Sequence, residues 1–228
     1  MPTWTLSKLQ ARVSAGVLRD DLAALSNNYA DYINEALHEV QDKRSFICMR
    51  GDTSLAILNG QASVALPADF KELQTKSEGS PINMIVDDPS FPGLLRPVNV
   101  VFEDAAIRRT WARSGLSTSC WPNTFTVFLK LGEFNGLGGI IGVEIPVTED
   151  TPFRVSYNGF LPDLVSPTDH NEITDRWPTL VVAKAKSLAL SDVNDPIAAT
   201  LESFSEIKFK QASFEDARAD LVGRDLHM

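Results

Sequence analysis

The stretch Thr179–Lys210, TLVVAKAKSLALSDVNDPIAATLESFSEIKFK, decides the fold of this chain. Its first half is an apolar band rich in small residues, which allow another helix to approach closely. Asp195 is suited to cap the free amides of a new helix, and Pro196 to occupy its first turn. Four apolar residues then recur near a 3.6-residue period: Ile197, Leu201, Phe204 and Ile207. The stretch therefore predicts two antiparallel helices whose apolar face must be covered.

The N-terminal part of the chain supplies helices that match this hairpin. A first helix is predicted over Thr5–Arg19, and a stronger one runs from Asp20 to Lys43. The apolar stripe of the second helix comprises Leu22, Leu25, Tyr29, Tyr32, Ile33, Leu37 and Val40. The opposite stripe, Glu35, His38, Glu39 and Asp42, is predicted to face solvent. We expect the apolar stripe to pack against the hairpin.

The middle of the chain has the pattern of short strands. Three apolar runs, Ser45–Met49, Leu55–Leu58 and Ser63–Leu66, are separated by Arg50-Gly51-Asp52 and by the hairpin signal Asn59-Gly60. Further strands are predicted at Ile82–Val86, Val98–Phe102, Thr124–Leu131, Ile140–Ile145 and Phe153–Tyr157, with a turn at Asn158-Gly159. Antiparallel pairing is expected because hairpin signals dominate and strands do not alternate with helices.

These patterns predict an α+β fold: a helical bundle made from the N- and C-terminal segments, with an inserted antiparallel β-rich region. We expect residues 1–44 to form the first half of the bundle. Residues 45–160 form the insertion, and residues 161–228 form the second half with a C-terminal docking tail. A chain of 228 residues is long enough for such an arrangement.

The C-terminal segment, Ala212–Met228, is predicted to form a separate short helix. Ser213 and Asp216 have the spacing of a helix start, and Gly223 is suited to end the helix. A helix of about ten residues is marginal alone in water, so it must dock on its own core or on a partner. The candidate partner-binding residues are Phe214, Leu221 and Leu226.

Composition excludes several classes of protein. The net charge of −9 and the pI of about 4.8 disfavour a protein that grips nucleic acid phosphates. The two cysteines, Cys48 and Cys120, are too few for a disulfide framework and have no metal-binding spacing. The first residues lack a signal-peptide pattern, and no run approaches the roughly 18 apolar residues that span a membrane. We expect the protein in a cytoplasm or in an assembly built there.

Two groups of residues resemble chemical sites. Glu35-x-x-His38 has di-iron spacing, but the chain lacks the second such motif that a di-iron bundle needs. Asp169, His170, Glu172 and Asp175 form a polar cluster just before a helix, where acidic residues complement the helix dipole. We therefore expect no catalytic residue, no cofactor and no metal. An acid–base or metal site in the Asp169–Asp175 cluster is the less favoured alternative.

Two parts of the chain resemble head-to-tail adaptor proteins, also called neck or connector proteins, of tailed bacteriophages. One is Leu9–Leu73, which includes YADYINEALHEV at Tyr29–Val40 and ends in LPADFKEL. The other is Phe153–Phe209, where FRVSY leads into the helical hairpin. The resemblance implies a helical bundle with a β-insertion, assembled as a ring, commonly of twelve subunits, between the portal and the tail.

The function implied by this resemblance is structural rather than enzymatic. The protein is expected in the virion neck, joining the portal protein to a tail or nozzle protein around a channel through which DNA passes without specific binding. An acidic chain suits such a channel because it does not hold DNA. The C-terminal segment matches no family binding motif. The alternative is another virion component, such as a tail-completion or minor capsid protein; a small-molecule-binding enzyme domain is less favoured.

Overall fold

The structure, a computed structural model, describes residues 3–15, 28–61, 63–74, 84–87, 95–97, 99–102, 126–131, 139–142 and 150–225. The chain divides into a helical unit, Met1–Met49 with Leu161–Met228, and a β-rich unit, Arg50–Phe160. Helices thus occupy both ends of the chain and β-structure its middle, which confirms the predicted α+β fold.

The helical unit is built around its fourth helix. Its elements are α1 (Leu6–Ser14), α2 (Tyr29–Lys43), α3 (Glu172–Arg176), α4 (Pro178–Asp192) and α5 (Ile197–Asp225). Helix α4 packs against all four of the others. The shared core draws from both ends of the chain and includes Leu9, Ile33, Leu37, Phe46, Ile173, Val181 and Ala212. The prediction that N-terminal helices cover the hairpin is confirmed, although residues 16–27 lie outside the described part.

Helix α4 is buried on nearly all sides. Its small residues Ala185 and Ala189 are fully buried, which lets neighbouring helices approach closely. Lys184 and Ser187, which interrupt the apolar band in the sequence, are also buried. The Ser187 hydroxyl donates to the carbonyl of Ala198 at 3.0 Å, so this polar group is satisfied across the hairpin.

The break between α4 and α5 follows the predicted turn chemistry. Asn194 takes a left-handed conformation with φ of 53°. The Asn194 N–H donates to Ser191 O and the Asp195 N–H to Leu190 O, each at 2.9 Å, which is the hydrogen-bond pattern of a Schellman motif. Asp195 Oδ1 then accepts from the Ile197 N–H at 2.9 Å. The prediction that Asp195 caps the second helix is confirmed.

Helix α5 is one continuous helix of 29 residues, so the prediction of a separate C-terminal helix is wrong. Ser213 lies inside it, and Gly223 does not end it. The reason is tertiary: Ala212 and Asp216 are buried against the helical unit and keep the chain helical through the predicted start. A glycine near the end of a long helix costs only about 1 kcal/mol, which such contacts offset.

The β-rich unit contains nine described strands in two sheets. They are β1 (Arg50–Ile57), β2 (Ser63–Ala65), β3 (Phe70–Leu73), β4 (Met84–Asp87), β5 (Leu95–Pro97), β6 (Asn99–Phe102), β7 (Thr126–Leu131), β8 (Gly139–Gly142) and β9 (Thr151–Gly159). One sheet has the order β1-β9-β4-β5, with β3 also pairing β9, and the other has the order β2-β8-β7-β6. All described pairs are antiparallel, as predicted, except the parallel pair β6–β7.

Strand β9 corrects three predictions from local sequence. It pairs with β1 from Arg50, opposite Asn158, to Ile57, opposite Thr151. Arg50-Gly51-Asp52 therefore belongs to a strand, and Asn158-Gly159 ends one instead of forming a turn. Gly159 is required by close approach, since a Cβ there would lie 2.7 Å from Asp69 Oδ2. The predicted strand Ser45–Met49 is instead a short 3-10 turn at Ile47–Met49.

The Asn59-Gly60 turn forms, but the predicted hairpin around it does not. Gly60 has φ of 80°, as such a turn requires. The strands on either side nevertheless belong to different sheets, since β1 pairs with β9 and β2 with β8. Turn residues determine where the chain reverses, whereas pairing partners are chosen by strands distant in sequence.

Candidate interaction surface

Helix α5 has two different faces. The inward face is small and polar: Ser205, Ala212 and Asp216 are buried, and Leu201 is half-buried against Leu190. The outward face carries large apolar side chains, with exposed fractions of 56% for Ile197, 41% for Phe204, 55% for Ile207 and 72% for Phe214. The expectation that Ile197, Phe204 and Ile207 pack inward is therefore wrong.

The exposed apolar residues of α5 follow a coiled-coil spacing. Ile197, Phe204, Ile207 and Phe214 are separated by seven, three and seven residues, the pattern of a and d positions in a heptad. We call these four residues the α5 seam. The seam covers roughly 25 Å of helix at 1.5 Å per residue. It is an apolar strip of the length that a partner helix or groove contacts.

A buried ammonium group holds the inward face of α5 in place. The Lys184 side chain on α4 is 9% exposed and lies 2.7 Å from Glu39 Oε2 on α2. The same ammonium group donates to both carboxylate oxygens of Glu202 on α5 at 2.8 Å. Lys184 therefore ties three helices together through charge-assisted hydrogen bonds.

A second group of contacts continues along the same side of α5. Lys43 forms an ion pair with Glu206, and its ammonium group lies 5.8 Å from the centre of the Phe209 ring. The Phe209 ring meets Phe46 edge-on with centroids 6.3 Å apart. Aromatic packing and charge thus act together to hold the middle of α5 on the helical unit.

Asp216 anchors the following turns of α5. Its side chain is 3% exposed. Its oxygens accept from the backbone N–H of Ile47 at 3.1 and 3.3 Å, and Arg44 Nη2 lies 3.7 Å away. The preceding residue, Glu215, accepts a hydrogen bond from Trp177 Nε1 at 2.9 Å. These contacts fix the segment that follows α2 against α5.

The Lys184 network remains charged at neutral pH. Burial lowers the pKa of Lys184, but its hydrogen bonds to Glu202 and Glu39 and the charges of both carboxylates outweigh burial and raise it. Burial raises the pKa of Glu202, but hydrogen bonding and the charge of Lys184 outweigh this and lower it. The three groups therefore form a network of one cation and two anions.

These polar contacts explain why the more apolar face of α5 points outward. Turning the seam inward would leave the Lys184 ammonium without its carboxylate on α5, and an unpaired buried charge is strongly unfavourable. It would also remove Asp216 from the Ile47 amide. The polar groups therefore select the rotation of α5, and the seam is left for another surface.

The residues that resembled a di-iron motif have structural contacts. His38 Nε2 lies 2.8 Å from Asp163 Oδ1, and Glu35 is exposed on the same helix. Glu39, predicted to face solvent with His38, instead pairs with Lys184. The polar stripe of α2 is thus partly an intramolecular contact surface.

The Asp169–Asp175 cluster holds backbone segments together. Asp169 Oδ2 accepts from the N–H groups of Ser166 and Val165 at 2.7 and 3.0 Å, and these bonds lower the Asp169 pKa. Asp175 Oδ1 accepts from the N–H of Trp4 at 2.6 Å, and its Oδ2 lies 2.9 Å from His170 Nδ1. These carboxylates organise the connector before α4.

No group of three or more histidine, cysteine or acidic residues within the described ranges has the arrangement of a metal site. None of the helices in those ranges is long and apolar enough to cross a membrane. Burial, followed by the charges of Glu172 and Asp216, raises the pKa of the Cys48 thiol to about 12. Such a thiol is protonated and unreactive at neutral pH.

The three predicted partner-binding residues have different outcomes. Phe214 is the most exposed residue of the α5 seam. Leu221 lies on α5 seven residues further, in line with the seam, but its side chain is outside the described part. Leu226 lies wholly outside the described residues. Partner binding by these residues stays a prediction. Sequence reasoning missed Ile197, Phe204 and Ile207 as surface residues, although their heptad spacing was a detectable signal.

Comparison with known families agrees with a structural role. A family model described as SU10 adaptor protein matches residues 4–227. A search of curated proteins gives no match. Such an adaptor is typically not an enzyme, and its family implies contacts with other proteins of the virion. The chain therefore belongs to the SU10 adaptor protein family, a family of structural bacteriophage adaptors.

Proposed function

We propose that this protein is a head-to-tail adaptor that forms an oligomeric ring, joins the portal to the tail and leaves a channel for DNA. The observation that carries the proposal is the family match over residues 4–227. A dodecamer is the expected ring because head-to-tail adaptors, which the chain resembles, commonly have twelve subunits. The net charge of −9 supports a channel that lets DNA pass without binding it.

In this proposal the two parts of the chain have different tasks. The helical bundle, residues 1–44 and 161–228, forms the rigid body of each subunit. The β-rich insertion, residues 45–160, reaches neighbouring copies or the tail or nozzle protein. Division of the chain between residues 49 and 50 and between 160 and 161 supports this assignment.

The C-terminal half of α5 is the proposed contact with the portal. Phe214 is 72% exposed, although it is a large apolar side chain that a protein without partners would bury. Leu221 continues the same line along the helix, and Leu226 follows it in the sequence. Large apolar residues of this kind contribute most of the binding energy in protein interfaces.

Mass photometry of the purified protein, alone and mixed with purified portal, tests the proposal. We expect a ring-sized species on the portal, and recruitment of the tail or nozzle protein only after the ring has formed. A protein that ignores the portal but binds the tail tube or the capsid would instead be a tail-completion or minor capsid protein.

A paired substitution tests the contact residues. Phe214→Glu places a charge in the proposed interface and should weaken portal binding at least tenfold. Ala199→Glu adds the same charge at another exposed position of α5 and should leave binding unchanged. Equal binding by both variants would remove Phe214 from the interface.

A further inference from the structure

The α5 seam raises the question of what covers it before assembly. Its four apolar residues are between 41% and 72% exposed in the single chain. A continuous apolar strip on a free protein favours association or aggregation unless a specific surface covers it. The contacts of Lys184 and Asp216 prevent the helix from turning this strip inward. The cover must come from outside the chain.

We propose that the free protein forms a dimer in which the α5 seams of two copies pack against each other in antiparallel orientation. The dimer is a property of the chain before assembly, so it can fail independently of the proposed adaptor function. It also covers Phe214, which is proposed to contact the portal. Binding to the portal must therefore separate the two copies.

The spacing of the seam indicates that its partner is a helix. Residues at intervals of seven, three and seven form one straight line only on an α-helix, and they interdigitate best with a helix that has the same repeat. Every copy of the chain presents such a helix. A twofold dimer uses the same patch on both copies, so no second complementary surface is needed.

Charge indicates that the partner is a second copy. Two copies with a net charge of −9 repel each other unless the surfaces that meet are locally neutral. Before residue 221, the exposed charged residues of α5 are two basic, Lys210 and Arg218, and one acidic, Glu215. The half-buried Lys208 and Asp220 add one charge of each sign. The seam thus lies in a surface without excess negative charge on an acidic chain.

Charge complementarity also selects the antiparallel orientation. With the twofold axis between Gln211 and Phe214, Lys208 of each copy lies opposite Glu215 of the other, which gives two favourable pairs. A parallel pair would instead place the two Arg218 side chains against each other in the seam. The antiparallel pair also places Phe204 at the level of the other copy's Leu221.

Crosslinking through Gln211 tests this arrangement. Gln211 is exposed and lies beside the proposed twofold axis, so Gln211→Cys should give a covalent dimer with a short bismaleimide. Ala199→Cys is equally exposed, but lies about 40 Å from its counterpart in the proposed dimer and should not crosslink. The wild type measures the background from Cys48 and Cys120.

Sedimentation equilibrium gives the second test. The wild type should associate reversibly to twice its mass of 25.0 kDa. Ile207→Glu should abolish association, whereas Ala199→Glu should retain it, and circular dichroism should show both variants folded. Ile207→Glu should still bind the portal, because it changes the dimer contact and not Phe214.

A monomeric wild type, or an Ile207→Glu variant that associates like the wild type, would overturn the dimer. Crosslinking of Ala199→Cys in place of Gln211→Cys would also overturn it, because a different face would then be in contact. None of these outcomes affects the adaptor function, which fails only if the portal and tail proteins are not bound.

Discussion

Lys184 shows at the residue scale how a charge determines the packing of a helix. Its ammonium group is buried between Glu39 and Glu202, which come from helices on either side of α4. The side chains of both glutamates remain more than one-third exposed. Removing the lysine therefore leaves carboxylates that water can solvate, whereas removing the carboxylates leaves a buried ammonium group without a partner.

This asymmetry predicts the order of two sets of variants. Lys184→Met keeps most of the apolar stem and should lower the free energy of unfolding by about 1–3 kcal/mol. The double variant Glu39→Ala/Glu202→Ala should lower it by about 3–5 kcal/mol, because the buried charge is uncompensated. Urea denaturation measures both, with the exposed Glu35→Ala as the control expected within about 0.5 kcal/mol of wild type. The reverse order would contradict the assigned role of Lys184.

The same network predicts a pH dependence. The pKa of Glu202 in the folded protein lies below its ordinary value, so the unfolded chain binds more protons as the pH falls. The stabilisation by this group is present above the unfolded pKa of about 4.3 and is lost as pH falls through the folded pKa. Glu202→Gln should therefore lose less stability than the wild type between about pH 5 and pH 3. Parallel acid-unfolding curves for the two proteins would contradict this.

At the scale of elements, the continuity of α5 is the feature that local sequence misjudged. Ser213 has the spacing of a helix start, yet its hydroxyl oxygen is buried without a hydrogen-bond partner among the described residues. The chain remains helical there because Ala212 and Asp216 pack on the helical unit on either side of it. Contacts distant in sequence thus override a local capping signal.

Ser213→Ala distinguishes the two interpretations by the sign of its effect. In a continuous helix, the substitution removes an unsatisfied buried hydroxyl and improves helix propensity, so it should stabilise by up to about 1 kcal/mol. If Ser213 capped a separate helix, the same substitution would destabilise by about 1 kcal/mol. The thermal midpoint, measured with Ser203→Ala on the exposed face as a reference, decides between them.

At the scale of the whole molecule, the helical unit has a core of its own. Its buried cluster contains only residues from the segments before Arg50 and after Phe160. The two chain ends that enter and leave the β-rich unit are close, because Arg50 pairs with Asn158 across neighbouring strands. A short linker can therefore join the two segments of the helical unit.

We predict that the helical unit folds without the insertion. Replacing residues 50–160 by a short glycine–serine linker should give a helical protein with a cooperative thermal transition. Far-ultraviolet circular dichroism measures the helices, and near-ultraviolet signals report the buried Trp177. Helical content without a cooperative transition would mean that the helical unit depends on the β-rich unit.

The sequence by itself determined the elements whose causes are local. Apolar periodicity located α2, α4 and most strands, since a helix repeats every 3.6 residues and a strand every two. Turn chemistry located the break at Asn194–Asp195, where the side chain and backbone of a few neighbours satisfy the helix ends. Residue order also indicated that the two ends of the chain meet in one bundle.

Only the tertiary structure decided which face of α5 lies inward and which strands pair. The apolar period of Ile197, Phe204 and Ile207 was read correctly as helical, but its direction depends on Lys184 and Glu39, which lie on other helices. Likewise, Asn59-Gly60 reverses the chain, while β1 and β2 find partners about 100 and about 80 residues away. The physical reason is the same in both cases: burial and charge pairing are set by residues that are neighbours in space and not in sequence.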